Sequence, residues 1–211
     1  MDFGSFPPAG FAPVATVLCL LVGAAALLSA PWRALLASNQ RQHVFLACAL
    51  ALPLLWMMRF EVPGGAHLHL LGMTTLTLMF GWQLALVLGA AAGAVLVIVD
   101  AWSLGSLAPN LVLCALLPVA VTLVMLGAAN RLSRTNLFVY LLGVAFAGGS
   151  AALLAPMLLG GWLQGPGFDH AVTLLLVFPE GFLNGTLVTA LAVFHPRILR
   201  TFDDERYLDG Q

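Results

Sequence analysis

Apolar residues run through this chain in stretches too long and too continuous to be the buried faces of amphipathic helices. Seven such stretches cover 11–30, 43–60, 68–80, 83–101, 107–129, 137–159 and 171–194, separated by short loops marked by Gly and Pro. A helix needs roughly 20 residues to cross about 30 Å of hydrocarbon. The pattern therefore predicts an all-α, polytopic membrane helix bundle of about seven transmembrane segments. The third segment is conspicuously short. No long linker, soluble domain or internal repeat interrupts the series, so residues 1–211 read as a single integral membrane domain. Small residues at helical spacing, Gly89/Gly93 and Gly181/Gly185, predict close approach between helix backbones.

The arginines choose a side. If all seven segments cross and the N-terminus lies outside, Arg33, Arg41, Arg131, Arg134, Arg197, Arg200 and Arg206 all face the cytoplasm and only Arg59 lies outside. If 68–80 instead dips in and returns, every later loop changes face and the positive-inside balance is lost. Crossing is favoured, with the C-terminus cytoplasmic. A short crossing segment that carries Gly72 and the polar Thr74, Thr75 and Thr77 needs burial by other helices, as a central element lining a cavity would have.

Composition narrows the function. Of 211 residues, 61% are hydrophobic and 8% charged, which excludes an ordinary soluble domain. Not one lysine is present, so there is no basic patch for nucleic acid and no Walker A loop to hold ATP. Any ATP-driven step falls to another chain. Cys19, Cys48 and Cys114 stand alone in apolar runs and read as small core residues. The N-terminus lacks the basic flank of a signal peptide, so the first segment is expected to persist as a helix.

The predicted topology gathers most ligand-capable side chains on the outer face. Glu61, His67 and His69 flank a Gly64-Gly65 turn, with Asp100 and the Asp169-His170 loop on the same side. His67 and His69 are two apart, so in an extended backbone they point the same way, whereas on a helix they diverge. Two neutral imidazoles so placed make a plausible site for a borderline metal, though turn histidines satisfied by water and backbone fit the same spacing. Glu180 lies well inside the last apolar segment, where an ionisable group costs about 2.5–3.5 kcal/mol on insertion scales. Asn184, four residues on, shares its helix face and can hydrogen-bond the carboxylate or share a ligand with it; a protonated Glu holding helices together is the equal alternative. Asp100 closes the fourth segment and Asn110 opens the fifth, two polar groups joined by a short loop. His43 and His195, at inner helix ends, need no more than capping, and the 202–207 tail reads as a solvated end or a docking segment for a cytoplasmic partner.

Several stretches resemble one family. Val62-Pro-Gly-Gly-Ala-His-Leu-His-Leu-Leu-Gly72 resembles the Pro-Val-Pro-Gly-Gly…His-Leu-Leu-Gly element of the CbiM/NikM family, the substrate-capturing membrane components of cobalt and nickel energy-coupling-factor transporters. The run from Phe80 through Gly81, Trp82 and Gln83, the sequence 107–110 ending in Asn110, and Pro179-Glu180-Gly181 are similar to later elements of that family in the same order, over about 60–195. The resemblance implies that His69 coordinates the metal and that a transmembrane coupling protein and ATPase subunits are partners, in the inner membrane of a bacterium. Family members begin Met-His-Ile and use the amino terminus and that histidine as ligands; this chain begins Met1-Asp2-Phe3. A site of His67, His69 and carboxylates such as Glu61, Asp100 or Glu180 is harder, so iron, zinc or manganese join cobalt and nickel as expected ions.

Two function classes follow, with a third behind them. The first is a permease subunit that captures a divalent transition metal outside and passes it inward. The second is a membrane-embedded metalloenzyme that retains its metal at a His/carboxylate site. The third is a structural membrane subunit that binds no metal.

Overall fold

The computed structural model describes residues 10–61, 67–132, 136–164 and 170–202. Nine α-helices and one two-stranded hairpin make up the regular structure among these residues: α1 Phe11–Ser29, α2 Trp32–Leu36, α3 Asn39–Met57, β1 Phe60–Glu61, β2 His67–Leu68, α4 Met73–Phe80, α5 Trp82–Ile98, α6 Leu104–Leu111, α7 Leu117–Arg131, α8 Gly148–Gln164 and α9 His170–Phe194. A π-helical turn, Val112–Leu116, joins α6 to α7 in one rod, Leu104–Arg131, and a longer one, Val139–Ala147, leads into α8. The rod carries Pro109 and Pro118, neither of which can donate a backbone hydrogen bond, and the π turn lies between them.

Among the described residues, four helices are long and apolar enough to cross a membrane: Phe11–Ser29, Leu104–Arg131, Val139–Leu163 and Leu174–Phe194. Their outer surfaces carry large apolar side chains, among them Leu20, Leu21, Val124, Leu142, Leu175 and Phe182, the reverse of a water-soluble bundle. The fold is thus the expected all-α bundle of a membrane protein. The other apolar segments are shorter or less apolar: α5 has 17 residues, and α3 opens with the polar run Asn39-Gln-Arg-Gln-His43.

The expected helix over 68–80 is the main local difference. Only Met73–Phe80 is helical; residues 67–68 pair with β1, and Gly72 adopts a left-handed conformation (φ 67°) that turns the chain into α4. An eight-residue helix is only about 12 Å long. All eight of its residues are nevertheless buried, because α4 packs against α5, α7, α8 and α9 at the centre of the bundle. The small residues expected to allow close packing do so. A Cβ on Gly89 would stand 2.8 Å from the Ala115 Cβ, and one on Gly185 3.1 Å from the Phe146 Cβ.

Hydrogen bonds sort the bundle ends. At one end Arg41 Nη2 donates to the Arg197 carbonyl (3.0 Å) and Arg200 N to the Met79 carbonyl (3.1 Å). At the other, Arg59 Nη1 donates to the Ala101 carbonyl (2.8 Å), beside the β-hairpin.

Candidate functional site

The short helix α4 cannot cap itself. Its N-cap is Gly72, which has no side chain to accept from the first turn, and the non-helical stretch before it leaves further backbone donors in the interior. Unpaired, each such buried donor costs about 1–3 kcal/mol. Helix α9 supplies the missing acceptors. Glu180, fully buried, accepts from Leu71 N at Oε2 (2.7 Å) and from Gly72 N at Oε1 (2.8 Å). Asn184, one turn on, accepts from both Thr75 N and Thr75 Oγ1 at Oδ1 (2.8 Å each) and donates Nδ2 to Glu180 Oε1 (2.7 Å). A carboxylate at a helix N-terminus also meets the positive end of the helix dipole.

The other end of α4 is held by the chain that follows α9. Thr201 N and Oγ1 both donate to the Leu78 carbonyl (3.3 and 3.1 Å), Arg200 N to the Met79 carbonyl, and Arg200 Nη1 to the Phe80 carbonyl (3.3 Å). A carboxyl group therefore stands at the N-terminus of α4 and a guanidinium at its C-terminus, both from one stretch of chain, 180–201. Gly81 (φ 84°) makes room for this: a Cβ there would lie 2.7 Å from Arg200 Nη1.

The histidines enter immediately before this clamped segment. In the hairpin, Glu61 and His67 are Cα partners and Phe60 pairs with Leu68, so the expected extended geometry holds at His67. His69 is completely buried, and its Nδ1 lies 2.9 Å from the Leu70 carbonyl. As the donor in that contact, Nδ1 carries the proton and leaves the ring's lone pair on Nε2. His67 Nδ1 is buried with no hydrogen-bond partner among the described residues. Trp56 organises the wall behind them: its ring centroid stands 5.5 Å from that of His69 and 5.6 Å from that of Trp102, and its Nε1 donates to the Leu71 carbonyl (3.1 Å). The Trp102 Nε1 is the second buried polar atom left without a partner among the described residues.

Comparison of the chain with protein-family models, curated proteins and solved structures finds no match. The site is therefore read from its own residues.

The structure brings some of the expected residues together and separates others. Glu180 and Asn184 meet as expected, but their hydrogen bonds are directed at α4. Thr74 is buried with Oγ1 2.9 Å from Thr122 Oγ1, and the Thr77 hydroxyl donates to the Met73 carbonyl, so both hydroxyls serve helix packing rather than a cavity wall. Asp100 and Asn110, expected as loop neighbours, part company. Asp100 is exposed in a left-handed conformation (φ 55°), while Asn110 is buried in the second turn of a helix that starts at Leu104 rather than 107. Among the described residues no three His, Cys, Asp or Glu side chains converge in a metal-sized group. The side chains of Glu61 and His170 lie outside the described residues, as do Met1, Asp2, Phe3 and Asp169. Sequence reasoning missed Trp56, Trp102, Arg200 and Thr201. The glycines bracketing α4, Gly72 and Gly81, are the only local sign that its ends are held by something else.

Proposed function

We propose that this chain is the substrate-capture permease subunit of an energy-coupling-factor-type transporter for a divalent transition metal, taking the ion on the hairpin side of the bundle and passing it inward with partner ATPase subunits. The observation that carries the reading is the buried Nδ1 of His67, without a partner among the described residues, two residues from the buried His69. An imidazole nitrogen held out of water without a donor or acceptor costs about 1–3 kcal/mol, and a metal ion offsets that cost by coordination. Two imidazoles supply half of a four-coordinate site. Glu61, the Cα partner of His67, is the nearest further ligand by register. Water or residues outside the described set complete it.

Two further features support the reading. The Leu68–Gly72 stretch and α4 run from the hairpin end, where Arg59 bonds Ala101, to the arginine-bearing end, where Arg200 bonds Phe80. This agrees with a segment that crosses, and with the arginine-rich end in the cytoplasm of a bacterium's inner membrane. The resemblance of 62–72 and 179–181 to cobalt and nickel capture subunits adds the substrate class. In this reading Glu180 is a positioning residue: it fixes Leu71 and Gly72, and through them the stretch 67–69 that carries both histidines.

Element-resolved mass spectrometry of the detergent-purified protein, loaded with nickel, cobalt, iron, zinc or manganese, tests the proposal. One equivalent of metal in the wild type, lost in a His67→Ala/His69→Ala protein that still folds and elutes as the wild type does, is the expected result. Metal uptake into cells should fall with it in His69→Ala, and an ATP-hydrolysing module should copurify. No metal in either protein, or uptake unaffected by His69→Ala, overturns the reading. Quantitative retention after chelation, with no ATPase partner, would point instead to a resident-metal enzyme.

A further inference from the structure

A lateral groove of about 710 Å³ opens between α3 and α9 with α4 as its floor. Its walls are Ala51, Leu55, Leu76, Leu187, Ala190 and Phe194, with few polar groups among the rest of the lining. The one hydroxyl on its floor, Thr75 Oγ1, is already donated to Asn184. Water gains little from such walls, and a groove in the flank of a membrane bundle opens on hydrocarbon. Met79 lines both this groove and a second pocket of about 100 Å³, whose lining includes Arg41 and Arg200. That is the space of roughly three water molecules, enough for a phosphate group.

The two guanidiniums are unmatched in charge. Among the described residues the Arg41 guanidinium donates to the Arg197 carbonyl and that of Arg200 to the Phe80 carbonyl, and neither meets a carboxylate. Planar guanidiniums with remaining N–H donors recognise phosphate well, and basic pockets between helices at the positive end of a membrane bundle suit anionic headgroups. We infer that an anionic phospholipid occupies this face, its acyl chain lying in the α3/α9 groove over α4 and its phosphate held between Arg41 and Arg200. The lipid then covers the flank of the clamped helix that carries Thr75, Leu76 and Met79. This inference rests on the membrane character of the bundle and not on the metal reading.

Native mass spectrometry of the protein released from detergent containing equal amounts of phosphatidylglycerol and phosphatidylcholine tests it. The wild type should retain one phosphatidylglycerol in preference to phosphatidylcholine. Arg41→Gln should lower that retention about fivefold or more, Arg41→Lys should restore part of it, and Arg131→Gln, outside the pocket, should leave it unchanged. Ala190→Trp, which fills the groove, should displace the lipid while Arg41 is intact. Equal retention of the two lipids, retention indifferent to Arg41→Gln, or no lipid at all overturns the inference. So does a protein dimer that Ala190→Trp dissociates, since a second copy would then fill the groove. Phosphatidylglycerol binding only after Asp203→Asn/Asp204→Asn/Glu205→Gln also overturns it, because the acidic tail would then be the occupant of the arginine pocket.

Discussion

Glu180 accepts from two backbone N–H groups and from Asn184, and each bond has a definite geometry that a substitution can remove. Glu180→Gln keeps the shape but replaces one acceptor oxygen by an NH₂ group, so the N–H of Leu71 or of Gly72 loses its partner. The cost is about 1–3 kcal/mol, or a melting temperature roughly 2–10 °C lower in a thermal scan of the metal-free protein. A Glu180 that acted only as a metal ligand would leave the metal-free melting temperature unchanged, which separates the two roles. His69→Ala carries the opposite expectation. It removes a ring packed at a tilt against Trp56 and the contact to the Leu70 carbonyl, but its main effect should be a fall in metal affinity of about tenfold or more, read by titration of the purified protein.

At the scale of the element, α4 is a helix whose ends are both made by another part of the chain. Gly72→Ala places a Cβ in a left-handed residue, 3.2 Å from Leu55 Cδ2, and should cost about 1–2 kcal/mol. Gly81→Ala should cost more, because a Cβ there stands 2.7 Å from the Arg200 guanidinium as well as at positive φ. Comparing the two melts, with and without Arg200→Ala, checks the clamp: the excess cost of Gly81→Ala should shrink when Arg200 is removed. The α8–α9 contact is as close. A Cβ on Gly181 would meet the Ser150 hydroxyl and stand 2.8 Å from the Phe146 carbonyl, so Gly181→Ala should destabilise by about 1–3 kcal/mol through overpacking.

For the whole molecule, the decisive prediction concerns the two faces. Gln40 lies at the start of α3 near the arginine-bearing end, and Gly105 stands in open space at the start of α6 near the hairpin end. With Cys19, Cys48 and Cys114 replaced by alanine, Gly105→Cys should react with a membrane-impermeant maleimide in intact cells and Gln40→Cys only after lysis. Reversed labelling would place the histidine hairpin in the cytoplasm and end the capture reading. Labelling of both positions from one side would mean that the segments between them cross an even number of times, contrary to the expected topology.

The continuous apolar runs determined by themselves that this is an all-α membrane bundle, because chain that lies in hydrocarbon has to be apolar and has to satisfy its backbone bonds within each helix. They also exposed Glu180 and Asn184, since a polar pair one turn apart in such a run needs a partner. The identity of that partner was not legible. Leu71 and Gly72 are more than a hundred residues from Glu180, and no local pattern says that a carboxylate is to cap a helix from a different element. The same holds for the third segment, whose composition permits a helix over 68–80. Only the tertiary structure, by offering Glu180 and Asn184 to the N–H groups of Leu71, Gly72 and Thr75 and Arg200 and Thr201 to the carbonyls at the other end, lets the helix begin at Met73 and stop at Phe80. Periodicity reports the solvent a segment faces, whereas long-range hydrogen bonds decide where a buried helix can begin and end.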